Sequence, residues 1–308
     1  MIVNRASVSA IFLNLKTTFN NAFEAAPSTW QKIAMLVPST SKQNTYAWLS
    51  MFPKMRKWVG EKVVKSLAQF NYTVINDDWE ATIEVDRNDI EDDQLGIYGP
   101  QAQMAGWSAK QLPDEIVYNL INNGFTYLCY DGQAFFSTAH PVGNEQTGIA
   151  NVSNKLTGVG SVLKFDTLAN ATSSLGAARV ALLKMKNDDG QPLNCQSTVL
   201  LVPPALADIA TALMSADRLG DNSPNPYKGI AAVVIDGRLT SDTAWFLLDT
   251  SKPVKPFVYQ ERKAPVFVEQ TDPQADDVFL KRKFKFGAEA RAAAGYGFWQ
   301  LAVGSVGA

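Results

Sequence analysis

Apolar residues recur at spacings of three and four over residues 6–24, where Val8, Ile11, Phe12, Leu15, Phe19 and Phe23 form one stripe. That pattern predicts an amphipathic helix that must dock on something, ended by the break at APSTW. The period then changes to two. Phe70, Tyr72 and Val74 alternate with their neighbours, as do Trp79, Ala81, Ile83 and Val85, and Asn76, Asp77 and Asp78 lie between the runs. This reads as an extended hairpin region. Residues 101–123 read as a long helix with Leu112, Ile116, Val117, Leu120 and Ile121 on its buried side, Pro113 as a kink or restart and Gly124 as the stop.

Further along, Asp166 predicts the N-cap of a second helix carrying Leu168, Leu175, Ala178, Val180, Leu182 and Leu183, closed by NDDG at 187–190. STVLLVPP (197–204) reads as a buried strand and ALADIATALMS as a third helix behind its two prolines. DRLGDNSPNPYKG (217–229) is a turn-rich surface loop, and IAAVVID and AWFLLD are strands around GRLTSD. DVFLKRKFKFGAEARAAAGYGFWQLAVG alternates in its first half and predicts two more strands. Helices and strands mix without a βαβ rhythm, which argues for an α+β fold.

Composition narrows the function classes. A chain of 308 residues with 46% hydrophobic content can bury a substantial core in one elaborated domain or two ordinary ones. With 28 basic against 30 acidic residues, the net charge of −2 gives no electrostatic footprint for nucleic-acid recognition. Cys129 and Cys195 supply neither a disulfide framework nor metal-ligand spacing, which fits a reducing cytoplasm. Polar residues interrupt the first apolar patch, so the start reads as a mature N-terminus. No uninterrupted apolar run reaches membrane-spanning length, so no membrane span is expected.

The stretch YDGQAFFSTAHPVG (130–143) holds the only histidine, His140, with Cys129 just before it and Asp131, Ser137 and Thr138 inside. A hydrolase built on a catalytic histidine would have to use this imidazole, yet no G-x-S-x-G elbow accompanies it. Cys129 lies in an apolar run where a small buried hydrophobe is the ordinary reading. Asp131-Gly132 instead predicts a two-residue type I′ hairpin turn between Thr126–Tyr130 and Gln133–Ser137, with His140 leaving in extended conformation before Pro141. DRNDIEDDQLG lacks the glycine and glutamate of an EF-hand loop, and no phosphate-binding glycine motif occurs. The expectation is no catalytic residue, no metal and no cofactor.

Two charge clusters point to association. The aromatic and basic group Trp48, Phe52, Lys54, Arg56, Lys57, Trp58, Lys62 and Lys65 and the acidic group Asp89, Glu91, Asp92 and Asp93 stand apart in the sequence. Opposite charges so placed can meet on different copies of one chain, and the aromatic residues of an extended segment favour an interface. Both groups are therefore candidate intersubunit residues.

The order of these features resembles the major head (capsid) subunits of Mu-like tailed bacteriophages and prophages, which adopt the HK97-like fold. The resemblance rests on TIEVDRNDIEDDQLGIYGP before the long helix, GFTYLCYDGQAFFSTAHPVG after it and the closing FKFGAEARAAAGYGFWQLAVG. It implies an N-terminal arm at 1–40, an extended loop at 41–86, a peripheral domain with a long spine helix at 87–160 and 266–308, and an axial domain at 161–265. It further implies hexamers and pentamers in an icosahedral shell around double-stranded DNA, with scaffold, portal and decoration proteins as partners, in a virion assembled in the bacterial cytoplasm. An encapsulin-like compartment shares the fold and is the alternative. Some relatives crosslink through Lys and Asn; no third catalytic group is evident here, so no crosslink is expected.

Overall fold

The computed structural model describes residues 5–50, 72–92, 95–144, 148–187, 189–272 and 274–307. Along the first half run α1 (Arg5–Ala25), β1 (Ala34–Pro38), β2 (Gln43–Thr45), β3 (Thr73–Ile75), β4 (Asp77–Asp86), α2 (Arg87–Glu91), α3 (Tyr98–Asn122), β5 (His140–Asn144), β6 (Gly148–Val152) and β7 (Lys155–Leu156). There follow α4 (Leu168–Ala171), α5 (Ala177–Leu183), β8 (Val199–Val202), α6 (Ala207–Ser215), β9 (Ala232–Ile235), β10 (Trp245–Leu248), β11 (Phe257–Gln270), α7 (Asp276–Lys281), β12 (Lys283–Tyr296) and β13 (Ala302–Ser305). The mixture is α+β, with one sheet ordered β1-β11-β12-β4 and another ordered β7-β13-β10-β8-β9.

The α1 stripe docks as its period requires. Val8, Ile11, Phe12, Leu15 and Phe19 are buried against Ala102, Ala105 and Ala109 of α3 and against Val85, Phe267, Phe284 and Phe286 of the four-stranded sheet. Each such large side chain contributes roughly 1.5–3 kcal/mol on burial, enough to fix a helix that bears no acidic residue in its first turn. The two helices touch at Gly106, where a Cβ would lie 2.2 Å from the Phe19 carbonyl oxygen. The larger core joins the second half of α3 to the five-stranded sheet through Val117, Tyr118 and Ile121, with Phe135 and Phe136 between them.

Several expectations change in detail. Helix α3 starts at Tyr98 and runs unbroken through Pro113. Burial on both sides of the proline, at Ala109, Ile116 and Val117, outweighs the one backbone bond it removes. Gly124 is not left-handed. It is glycine because a Cβ there would meet the Phe136 ring at 2.8 Å. The residues at 76–78 form no hairpin turn: β3 pairs with β2, and β4 pairs with β12. Asn76 carries the chain between the two, donating to Ser39 Oγ and the Ser41 carbonyl at 2.9 Å each and accepting from Gln260 Nε2 at 2.7 Å.

Thr167, and not Asp166, caps α4, accepting from the Asn170 N–H at 3.2 Å. A single π turn at Thr172–Gly176 joins α4 to α5, which ends at Leu183 ahead of NDDG. Strands β9 and β10 are not neighbours, because β8 lies between them. DVFLK forms α7, so the strand alternation starts only at Lys283. Strand β11 crosses residues 265 and 266 without a break, and β13 joins the five-stranded sheet.

Candidate functional site

The lone histidine lies at the start of β5, fully buried. Its Nδ1 is 2.6 Å from Asp131 Oδ2 and its Nε2 is 3.1 Å from Asn154 Oδ1. The orientation of Asn154 is set by backbone: its amide donates to the carbonyls of Phe135 at 2.8 Å and Trp299 at 3.3 Å, while Oδ1 accepts from the Ser137 N–H at 2.9 Å. Nε2 of His140 is therefore a donor, and a proton bridges Nδ1 and the carboxylate. One ring face stacks on Trp299.

Asp131 completes the corner. Its Oδ1 accepts from the Gln133 N–H at 3.0 Å and from Cys129 Sγ at 3.1 Å. Burial pushes this carboxyl upward, but the bonds from His140 and Cys129 outweigh it and hold the group below its usual range. Burial pushes the Cys129 thiol up, away from the reactive thiolate. The predicted type I′ turn is corrected: only Gly132 is left-handed, at φ 79°. Gly132 N–H donates to the Cys129 carbonyl at 3.1 Å and Cys129 N–H to the Gln133 carbonyl at 2.8 Å, a three-residue loop that turns the Asp131 side chain inward. The flanking runs pair only at Leu128 and Ala134.

Two chemistries were open to this cluster. Catalysis fails on access, because both ring nitrogens are engaged and the ring is sealed from solvent. The donor atoms of Cys129, Asp131 and His140 lie within 4.8 Å of one another. The separation of 2.6 Å between imidazole and carboxylate is nevertheless that of a hydrogen bond. Two ligands of one tetrahedral ion would stand roughly 3.3–3.8 Å apart. The cluster is a structural corner, and Asn154 and Trp299, its two unforeseen members, come from distant positions that no local spacing signals.

A second junction went unseen in the sequence. Asp114 on α3 is fully buried and accepts from Ser28 Oγ at 2.6 Å and from the N–H groups of Thr29 and Trp30 at 2.8 Å each. Thr29 Oγ1 also reaches Asp236 Oδ2 at 3.0 Å, and Arg238 holds both oxygens of Asp236 at 3.1 Å. One carboxylate thus pins the segment after α1 to α3, and the next ties both to the loop after β9.

Of the basic group, Phe52, Lys54, Arg56, Lys57, Trp58, Lys62 and Lys65 lie outside the described residues; Trp48 falls in a short 3-10 turn. In the acidic group Asp89 is half-buried and accepts from the Tyr98 hydroxyl at 2.5 Å, so it also has a role within the chain. Asp92 is exposed, whereas Asp93 and the Glu91 side chain lie outside the described residues.

Comparison with known proteins then decides the family. The model of the Mu-like prophage major head subunit gpT matches residues 8–167, 164–239 and 235–308. The chain belongs to this family. As a head subunit it is 33% identical over 303 residues to the major capsid protein of Escherichia phage Mu, covering 98% of this chain and 74% of that one. It is 30% identical over 300 residues to the Mu-like prophage FluMu major head subunit of Haemophilus influenzae, covering 96% and 71%. The fold matches a chain of the bacteriophage JBD30 procapsid with a TM-score of 0.63 and 31% identity, over 98% of this head subunit and 76% of that chain.

Proposed function

We propose that many copies of this major head subunit associate as hexamers and pentamers into the icosahedral head of a tailed phage, a shell that encloses packaged double-stranded DNA. The likeness to a phage procapsid chain over 98% of the length carries this reading. The subunit acts as building material and not as a catalyst. Its buried, fully bonded histidine supports that view, since the imidazole serves the fold.

In this shell, residues 1–40 form the arm, 41–86 the loop that reaches across a neighbouring copy, 87–160 and 266–308 the peripheral domain and 161–265 the axial domain around the symmetry centres. Strand β13, within 266–308, pairs with β10 of the five-stranded sheet, so on this division the peripheral segment also lends a strand to the sheet built mainly from 161–265. The basic residues of the loop and the acidic group at 89–93 are its proposed intersubunit contacts. With arm and loop engaged, each copy buries well over the ~1,600 Å² of a standard complex. Assembly in the host cytoplasm beside scaffold and portal proteins completes the proposal, and DNA is held by non-specific contact with the inner surface.

Deletion of residues 50–75 tests the loop. The expected result is loss of shells with helix content retained in circular dichroism. Intact shells from the deleted chain contradict the assigned role.

A further inference from the structure

Two apolar surfaces stand at opposite ends of β12. At its start, α7 exposes Phe279 to 81% and Leu280 to 73%, while Val278 is buried and holds the short helix against the core around α1. The helix ends on Arg282 in the left-handed region at φ 57°, whose N–H donates to the Val278 carbonyl at 3.0 Å. Phe279 and Leu280 therefore form a seated knob and not a frayed loop. At the other end of β12 an open groove of about 660 Å³ runs beside Ala293, Ala294 and Tyr296. Ile75, Trp79, Tyr127 and Leu128 line it, and they are exposed to 53%, 37%, 56% and 63%. Large apolar side chains gathered in this way mark an interaction surface.

The charges match. Exposed Arg282 follows the knob, and exposed Asp77 and Glu115 rim the groove. Ten residues of β12, from Lys283 to Ala292, separate the two ends, a span of roughly 33 Å at about 3.3 Å per residue, so one chain cannot fill its own groove. We infer that copies of the chain associate head to tail, the Phe279–Leu280 knob of one entering the Tyr127–Leu128 groove of the next. Such a heterologous contact uses two different patches and propagates around a ring or through a lattice. Electrostatic pairing of the flanking residues sets its register. The inference rests on self-association of this chain, and adds which surfaces meet.

Disulfide trapping between differently marked copies tests it. Full-length Leu280→Cys and Leu128→Cys chains are mixed before assembly, oxidised, collected as particles and separated without reductant. Both native cysteines are buried, so the unaltered chain sets the baseline. The expected result is a dimer-sized band in the mixture that neither variant forms alone. Arg282→Glu is expected to lower particle yield several-fold, and adding Asp77→Lys to restore it. Particles that carry only a Leu280→Cys homodimer, or no crosslink at all, overturn the head-to-tail contact and leave the shell reading standing. Absence of particles from the unaltered chain as well overturns both.

Discussion

The imidazole of His140 lies flat on the indole of Trp299, with 3.9 Å between ring centroids and 8° between planes. The stack joins the corner before β5 to the turn before β13, and so ties the hairpin after α3 to the five-stranded sheet. A flat stack of two rings in a dry site adds to the stabilisation that their burial supplies.

His140→Ala is expected to destabilise the chain by about 2–4 kcal/mol, from the lost stack and from removing the ring donors to Asp131 Oδ2 and Asn154 Oδ1. Denaturant unfolding of the purified subunit measures this. A variant as stable as the parent contradicts a structural role for the ring.

Acid should weaken the same corner. Asp131 is held below its usual range in the folded chain, so its contribution is present above the unfolded value of 3.8 and fades as pH falls through the lower folded value. Unfolding midpoints between pH 6 and 2 are expected to fall more steeply in the parent than in Asp131→Asn. Parallel curves count against the assignment.

Asp114→Ala removes the acceptor for two backbone N–H groups and two hydroxyls, at a cost of about 3 kcal/mol. The segment around Ser28 to Trp30 should then become the first site of limited proteolysis. Unchanged cleavage patterns would show that other contacts hold this segment.

Gly106 separates packing from helix propensity. Alanine there meets the Phe19 carbonyl oxygen, whereas alanine at Gly99 meets nothing within 4 Å. Gly106→Ala is expected to cost about 1–3 kcal/mol by forcing α1 away from α3, and Gly99→Ala to be neutral or slightly stabilising. Equal effects in thermal unfolding contradict the close crossing.

The elements most legible in the sequence were those with a strong local period. The α1 stripe, the face of α3 marked by Val117 and Ile121, and the buried run Val199–Val202 all followed from periodicity. Strand partners did not follow, because alternation says which face is buried and not which strand lies alongside. Hence Asn76 read as a hairpin turn although it bridges two sheets. Strand β11 gives no strand signal in the sequence: Glu261, Arg262, Lys263 and Pro265 interrupt its alternation, at the place where its pairing with β12 shifts register. At the candidate site, Asp131 and His140 were visible as neighbours in sequence, but Asn154, Trp299 and Asp114 act through contacts that only folding creates.

Negative-stain electron microscopy of the purified full-length chain tests the central claim most directly. The account predicts closed, megadalton shells. Only small, uniform oligomers under all conditions, scaffold protein included, would contradict it.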